Sequence, residues 1–216
     1  MLKARFSKTI LGLCLVCLAL AAVAAGPARG SGPAAAASYA QALGGLKFRE
    51  IGPAVMGARV DEFAVVESNP KIVYVGLASG GVWKTTNAGT TWQPIFDDQP
   101  VASVGALALA PSDPSILWVG TGEANTRQSS SWGAGVFKST DAGRSFRFMG
   151  LAETQHIGRV AVHPKNPDVV YVAVIGHNFS ANEERGLFKT SDGGRTWAKI
   201  LYLSPKVGVV DVEMDP

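Results

Sequence analysis

The sequence predicts an all-β fold, a β-propeller of four-stranded blades each closed by the same kind of hairpin, with three blades and the start of a fourth along the chain. Two observations carry this expectation. Segments recur at a spacing near 50 residues, the period of propeller blades or of solenoid repeats. Each repeat holds four short runs of β-branched and aromatic residues bounded by Pro, Asn, Asp or Gly, and none shows helical periodicity. Four strands per unit is the make-up of a blade.

The innermost strand of each unit comes first, as RVDEFAVV from Arg59, VGALALA from Val104 and GRVAVHP from Gly158. The closing residues GVVDVEMDP open a fourth unit in the same way. Second strands follow as SNPKIVYVG from Ser68, SDPSILWVG from Ser112 and KNPDVVYVA from Lys165. Third and fourth strands flank a hairpin in GGVWKTTNAGTTWQPIF from Gly80, GAGVFKSTDAGRSFRFM from Gly133 and RGLFKTSDGGRTWAKIL from Arg185. In the first unit the strands are expected near 59–66, 72–77, 81–86 and 91–96. The blades then cover about 59–96, 101–150 and 156–202, a fourth starts near 207, and 46–216 is a partial propeller. Residues 46–51 form a further strand-like run, of the kind that completes the last blade of a ring.

The hairpin has a local physical logic. A short carboxylate or amide (Asn87, Asp141, Asp192) accepts turn N–H groups, while glycine (Gly89, Gly143, Gly194) takes the positive-φ position. An aromatic (Trp92, Phe146, Trp197) packs beneath. Asp141 and Asp192 read as structural, since Asn87 at the same position can accept those bonds but cannot serve as a general acid. The three hairpins resemble the Asp-box, or BNR repeat, of sialidases, xyloglucan-type hydrolases and the sortilin (Vps10) propeller. The stretches FREIGPAVMGARV, ASGGVWKTTNAGTTW, GTGEANTRQSSSWGAGVFKSTDAG and HIGRVAVHPKNPDVVYVAV are similar to long bacterial exported proteins of the BNR-repeat, sortilin-N-terminal-like kind. That resemblance implies a propeller fold, and only weakly a function.

Residues 1–25 carry Lys3, Arg5 and Lys8 with no acid, then an apolar run from 10 to 25 that ends in small residues. This is the pattern of a secretory signal peptide, too short for the roughly 20 residues that span a bilayer. Residues 26–45 are rich in Gly, Ala and Pro and read as a linker. Both cysteines, Cys14 and Cys17, fall in the leader, so no disulfide is expected in the mature chain. Losing the leader removes three cations and brings the formal charge from +3 to 0. No basic block is left to suggest nucleic acid or an anionic membrane surface. No histidines stand at metal-ligand spacing, and neither metal nor cofactor is expected.

From the Pro of the second-strand motif to the hairpin acid or amide is 17 residues in the first unit, 27 in the second and 25 in the third. The extra residues fall in second-to-third-strand loops, on the face opposite the hairpins, where binding groups tend to sit. One long loop holds Glu123, Asn125, Arg127 and Trp132; the other holds His177, Asn178, Glu183, Glu184 and Arg185. Arg59 and Arg159, near the starts of innermost strands, and His156 join them as a polar pocket with acid, base and anion-binding groups. The alternative is structural: Arg127 pairs with Glu123, and Trp132 covers a blade edge. His163, before Pro164, reads as a turn residue.

Two functions fit. One is an exported binding or scaffold module for peptide or glycan. The other is a glycoside hydrolase acting on extracellular polysaccharide, which needs two carboxylates across a cleft, with Glu123 and Asp61 as the candidates. Xyloglucan-type relatives carry an Asp just ahead of a Gly-Gly pair where this chain has Ala78-Ser79-Gly80-Gly81, which argues against transferring their mechanism directly. A sialidase would need an arginine triad, of which only scattered arginines are visible. Three blades do not close a ring, so the remaining blades of a longer parent chain are the expected partners.

Overall fold

A computed structural model describes residues 58–215. The leader, the linker and the strand-like run at 46–51 lie outside the described residues. The rest is three four-stranded antiparallel sheets, each a meander in sequence order. Blade 1 comprises β1 (Val60–Val65), β2 (Val73–Leu77), β3 (Gly81–Thr85) and β4 (Gln93–Pro94). Blade 2 comprises β5 (Val104–Ala110), β6 (Asp113–Thr121), β7 (Val136–Ser139) and β8 (Arg147–Phe148). Blade 3 comprises β9 (Ile157–Val162), β10 (Val170–Val174), β11 (Gly186–Thr190) and β12 (Ala198–Leu201). One 3-10 turn, Ala152–Thr154, interrupts the link between blades 2 and 3. The expected strands are present, with β4 and β8 only two residues long. The hairpin takes up most of what the pattern assigned to β4, and beyond Pro94 the Ile95 N–H still donates to the Val82 carbonyl at 2.9 Å.

The core lies between blades. Tyr74, Trp118 and Tyr171 occupy one repeat position, paired with Ala64, Ala108 and Ala161. On that register Phe63, Leu107 and Val160 are equivalent, as are Val60, Val104 and Ile157. Leu107 and Val104 of blade 2 pack on Gly76 of blade 1, while Val160 and Ile157 of blade 3 pack on Gly120 of blade 2. A Cβ at Gly120 would stand 2.5 Å from the Ile157 side chain, and one at Gly76 2.7 Å from Val104. Glycine in these second strands therefore sets how closely the next blade approaches. Where no described blade covers the surface, the same positions are open: Phe63 is 58% exposed, against 5% for Leu107 and 3% for Val160.

Each hairpin is fastened within its own blade, and those of blades 2 and 3 to the preceding blade as well. Within its own blade, the turn N–H of Ala88, Ala142 and Gly193 donates to the carbonyl of Lys71, Ser115 and Asp168 respectively. Toward the preceding blade, the Ala142 carbonyl accepts from Tyr74 Oη at 3.1 Å and Lys84 Nζ at 2.8 Å. The Gly193 carbonyl accepts from Lys138 Nζ at 3.4 Å. Burial lowers the pKa of Lys84, with Arg144 adding to that and Asp141 opposing it, and lowers that of Lys138 against Asp168, with Arg195 adding a little. The hairpin aromatics also reach backward. Phe146 packs edge-on to Phe96 at 4.9 Å, and Trp197 to Trp118 at 6.1 Å while donating its indole N–H to the Met149 carbonyl. The hairpins of blades 2 and 3 thus clasp the blade before them as well as their own.

Inside each turn the geometry is that of the sequence reading. Gly89, Gly143 and Gly194 have positive φ and donate N–H to Thr85, Ser139 and Thr190 hydroxyls. Asp141 accepts from the Arg144 and Ser145 N–H and from the Ser139 and Ser145 hydroxyls. Asp192 accepts from the Thr196 N–H and the Thr190 and Thr196 hydroxyls. Asn87 accepts from the Thr91 N–H and the Thr85 hydroxyl, and its amide nitrogen donates to the Thr91 hydroxyl.

Candidate functional site

Second-to-third-strand loops and inter-blade links share the end of the sheets away from the hairpins. Loop 78–80 of blade 1 is short, whereas 122–135 and 175–185 are long, as the spacing predicts. The polar residues singled out from sequence sort here into paired charges, loop staples and exposed groups.

Glu123 has no solvent exposure. Its Oε1 is bound by Arg59, through Nη2 and through Nε at 3.1 Å, and its Oε2 accepts the Ser131 N–H at 3.2 Å. A buried carboxylate persists only when paired and hydrogen-bonded in this way. The partner is Arg59 of blade 1, which corrects the expected pairing with Arg127, and the candidate acid Glu123 is closed to solvent. Arg159 likewise pairs with Glu62 at 2.6 Å and Asp211 at 3.4 Å. The repeat position that Glu62 and Arg159 share is occupied in blade 2 by the buried Ala106.

Asp61 is partly buried, accepting from the Ala124 N–H at 3.3 Å and the Asn125 amide at 3.0 Å. Burial raises its pKa, with the Glu123 charge adding to that and the hydrogen bonds and Arg59 opposing it. His156 is buried; its Nδ1 lies 3.0 Å from the Glu123 carbonyl, which can only accept, so Nδ1 carries the proton. Burial lowers the His156 pKa and favours the neutral ring. His177 is half-buried, with Nε2 at 3.1 Å from the Glu153 carbonyl. Arg185 binds four carbonyls, of Ile175, His177, Ser180 and Pro205, and staples its own loop. His163 caps its turn through the N–H groups of Lys165 and Asn166.

Arg127 and Asn125 stand exposed, and Trp132 is 69% exposed instead of covering a blade edge. Trp132 borders an open groove of about 500 Å³ with Ser79, Pro100, Val101, Ser103 and Ser131. The sequence marked the loop, but not that the blade 1–blade 2 link at 100–103 forms the opposite wall. No group of three or more His, Cys, Asp or Glu suited to a metal occurs among the described residues. Nor is any described helix long and apolar enough to cross a membrane.

No family model matches the chain. A xyloglucanase of Paenibacillus sp is 28% identical over 147 residues, covering 62% of this chain and 14% of that protein. Xyloglucanase Xgh74A of Acetivibrio thermocellus is 23% identical over 163 residues, covering 69% of this chain and 18% of that protein. The chain thus spans less than a fifth of these relatives. Among solved structures, an ancestral GH74 enzyme superposes with a TM-score of 0.51 at 20% identity, over 66% of this chain and 18% of that one. The architecture is a partial β-propeller of the kind found in that enzyme.

Proposed function

We propose that this chain supplies blades of a carbohydrate-binding β-propeller, and that these blades hold a neutral glycan on their loop face rather than cleave it. The observation that carries the reading is the state of the carboxylates there. Glu123 is sealed with both oxygens engaged, and Glu62 is tied to Arg159. Two-carboxylate glycoside hydrolysis needs an acid and a base or nucleophile roughly 5 to 9.5 Å apart, both open to the sugar. Of the two candidates, only Asp61 retains solvent access. The similarity to xyloglucanases supports a β-glucan as the ligand class, and the apolar leader supports export.

A second reading, a glycoside hydrolase acting on extracellular polysaccharide, is favoured by the same relatives and by Asp61, whose raised pKa suits acid–base work. It requires a second open carboxylate beside Asp61, which neither the sealed Glu123 nor the Arg159-paired Glu62 supplies. Affinity electrophoresis of the full chain in soluble xyloglucan, with a parallel assay of new reducing ends, separates the two. Retardation without new ends is the expected result. Reducing ends that vanish in Asp61→Asn would establish the hydrolase, and neither signal would retire both readings.

A further inference from the structure

We propose that Trp132 is a stacking platform for one pyranose ring of the glycan, and that buried Glu123 is the positioning residue that holds it in place. This rests on the carbohydrate-binding reading above and names the contact that reading lacks.

The backbone on both sides of Trp132 is locked while the indole is left in solvent. Before it, the Ser131 N–H donates to Glu123 Oε2, and the Ser131 carbonyl accepts from the Glu123 N–H and from Ser103 Oγ, both at 2.9 Å. After it, the Gly133 N–H donates to the Gln155 carbonyl at 2.7 Å and the Ala134 N–H to Thr121 Oγ1 at 2.8 Å. A Cβ on Gly133 would meet backbone at 2.3 Å, so the chain passes here with no room to shift. The link that supplies the Gln155 carbonyl is itself strained: Leu151 and Gln155 hold φ of 59° and 54°, a conformation non-glycine residues adopt only when the surroundings impose it. An aromatic residue carried on backbone fixed in this way binds without the cost of ordering its loop.

The groove indicates what the ring meets. None of its lining residues is charged, so it offers no counter-ion for an anionic ligand. It offers an aromatic face beside the hydroxyls of Ser79 and Ser131. A pyranose matches both features, with a C–H-rich face for the indole and an equatorial hydroxyl edge for the serines. Glu123 then acts at a distance: its Arg59 pair neutralises it, and its second oxygen fixes the Ser131 N–H.

The test uses the full chain and xyloglucan oligosaccharides, with calorimetry and tryptophan fluorescence. Trp132→Ala should weaken binding roughly tenfold or more, and Trp132→Phe less. Glu123→Gln should weaken binding and increase acrylamide quenching of Trp132, yet have no further effect on affinity in the Trp132→Ala background. If wild type binds and Trp132→Ala binds within about twofold of it, the platform is overturned and the glycan-binding reading stands. If Glu123→Gln weakens binding equally in both backgrounds, its positioning role is overturned. Absence of any glycan binding by wild type overturns both proposals, as does capture of a peptide through Trp132 in its place.

Discussion

Asp141 and Asp192 sit at hairpin tips where hydroxyl and backbone N–H donors converge on each carboxylate. The hydroxyls of Ser145 and Thr196 contribute most, followed by the N–H groups of the same residues, and together they hold both carboxyls well below the ordinary value of 3.8. A depressed folded pKa means these charges stabilise the fold above the unfolded pKa, and that contribution is lost as pH falls below 3.8 toward the folded value. Thermal midpoints should therefore fall on the acid side of that pH. The double variant Asp141→Asn, Asp192→Asn, which copies Asn87, should show a shallower acid limb; an unchanged limb would refute the assignment. The roles of these residues were legible in the sequence because donors and acceptor lie within four positions of one another. Glu123 was not legible in the same way. Nothing near it in the chain announces burial, because its partner Arg59 is 64 residues away and belongs to another blade.

At the scale of the element, the interface between consecutive blades is set by one small residue in each second strand. Gly76 and Gly120 admit the following innermost strand, and blade 3 carries the buried Ala173 at the equivalent place. Since a Cβ at Gly120 would meet the buried Ile157 side chain, Gly120→Ala should destabilise by about 1–3 kcal/mol through overpacking, read as a lower urea midpoint at unchanged m. A neutral outcome would mean that blades 2 and 3 slide apart without cost. The strand order followed directly from the period-2 runs and their turn residues. That the hairpin aromatics clasp the preceding blade did not, because strand patterning specifies which residues face inward and not which neighbouring sheet they meet.

For the whole molecule, comparing one repeat position across the three blades distinguishes a finished interface from half of one. Leu107 and Val160 are covered by the blade before them, whereas Phe63, at the same position, stays open beside the exposed Val60 and Val65. On the far side, Ile200, Leu201, Tyr202 and Leu203 are exposed as well. An apolar surface built to the pattern of a blade interface drives association unless another blade covers it. The isolated chain should therefore self-associate with rising concentration and bind a hydrophobic dye, as sedimentation velocity and dye fluorescence would record. Phe63→Asp should reduce both while leaving the far-ultraviolet circular dichroism unchanged, because the side chain it removes is more than half in solvent. A chain that stays monomeric and dye-free at every concentration would mean that this face is covered by residues outside 58–215. In that case the exposure of Phe63 among the described residues would no longer mark an interface awaiting a further blade.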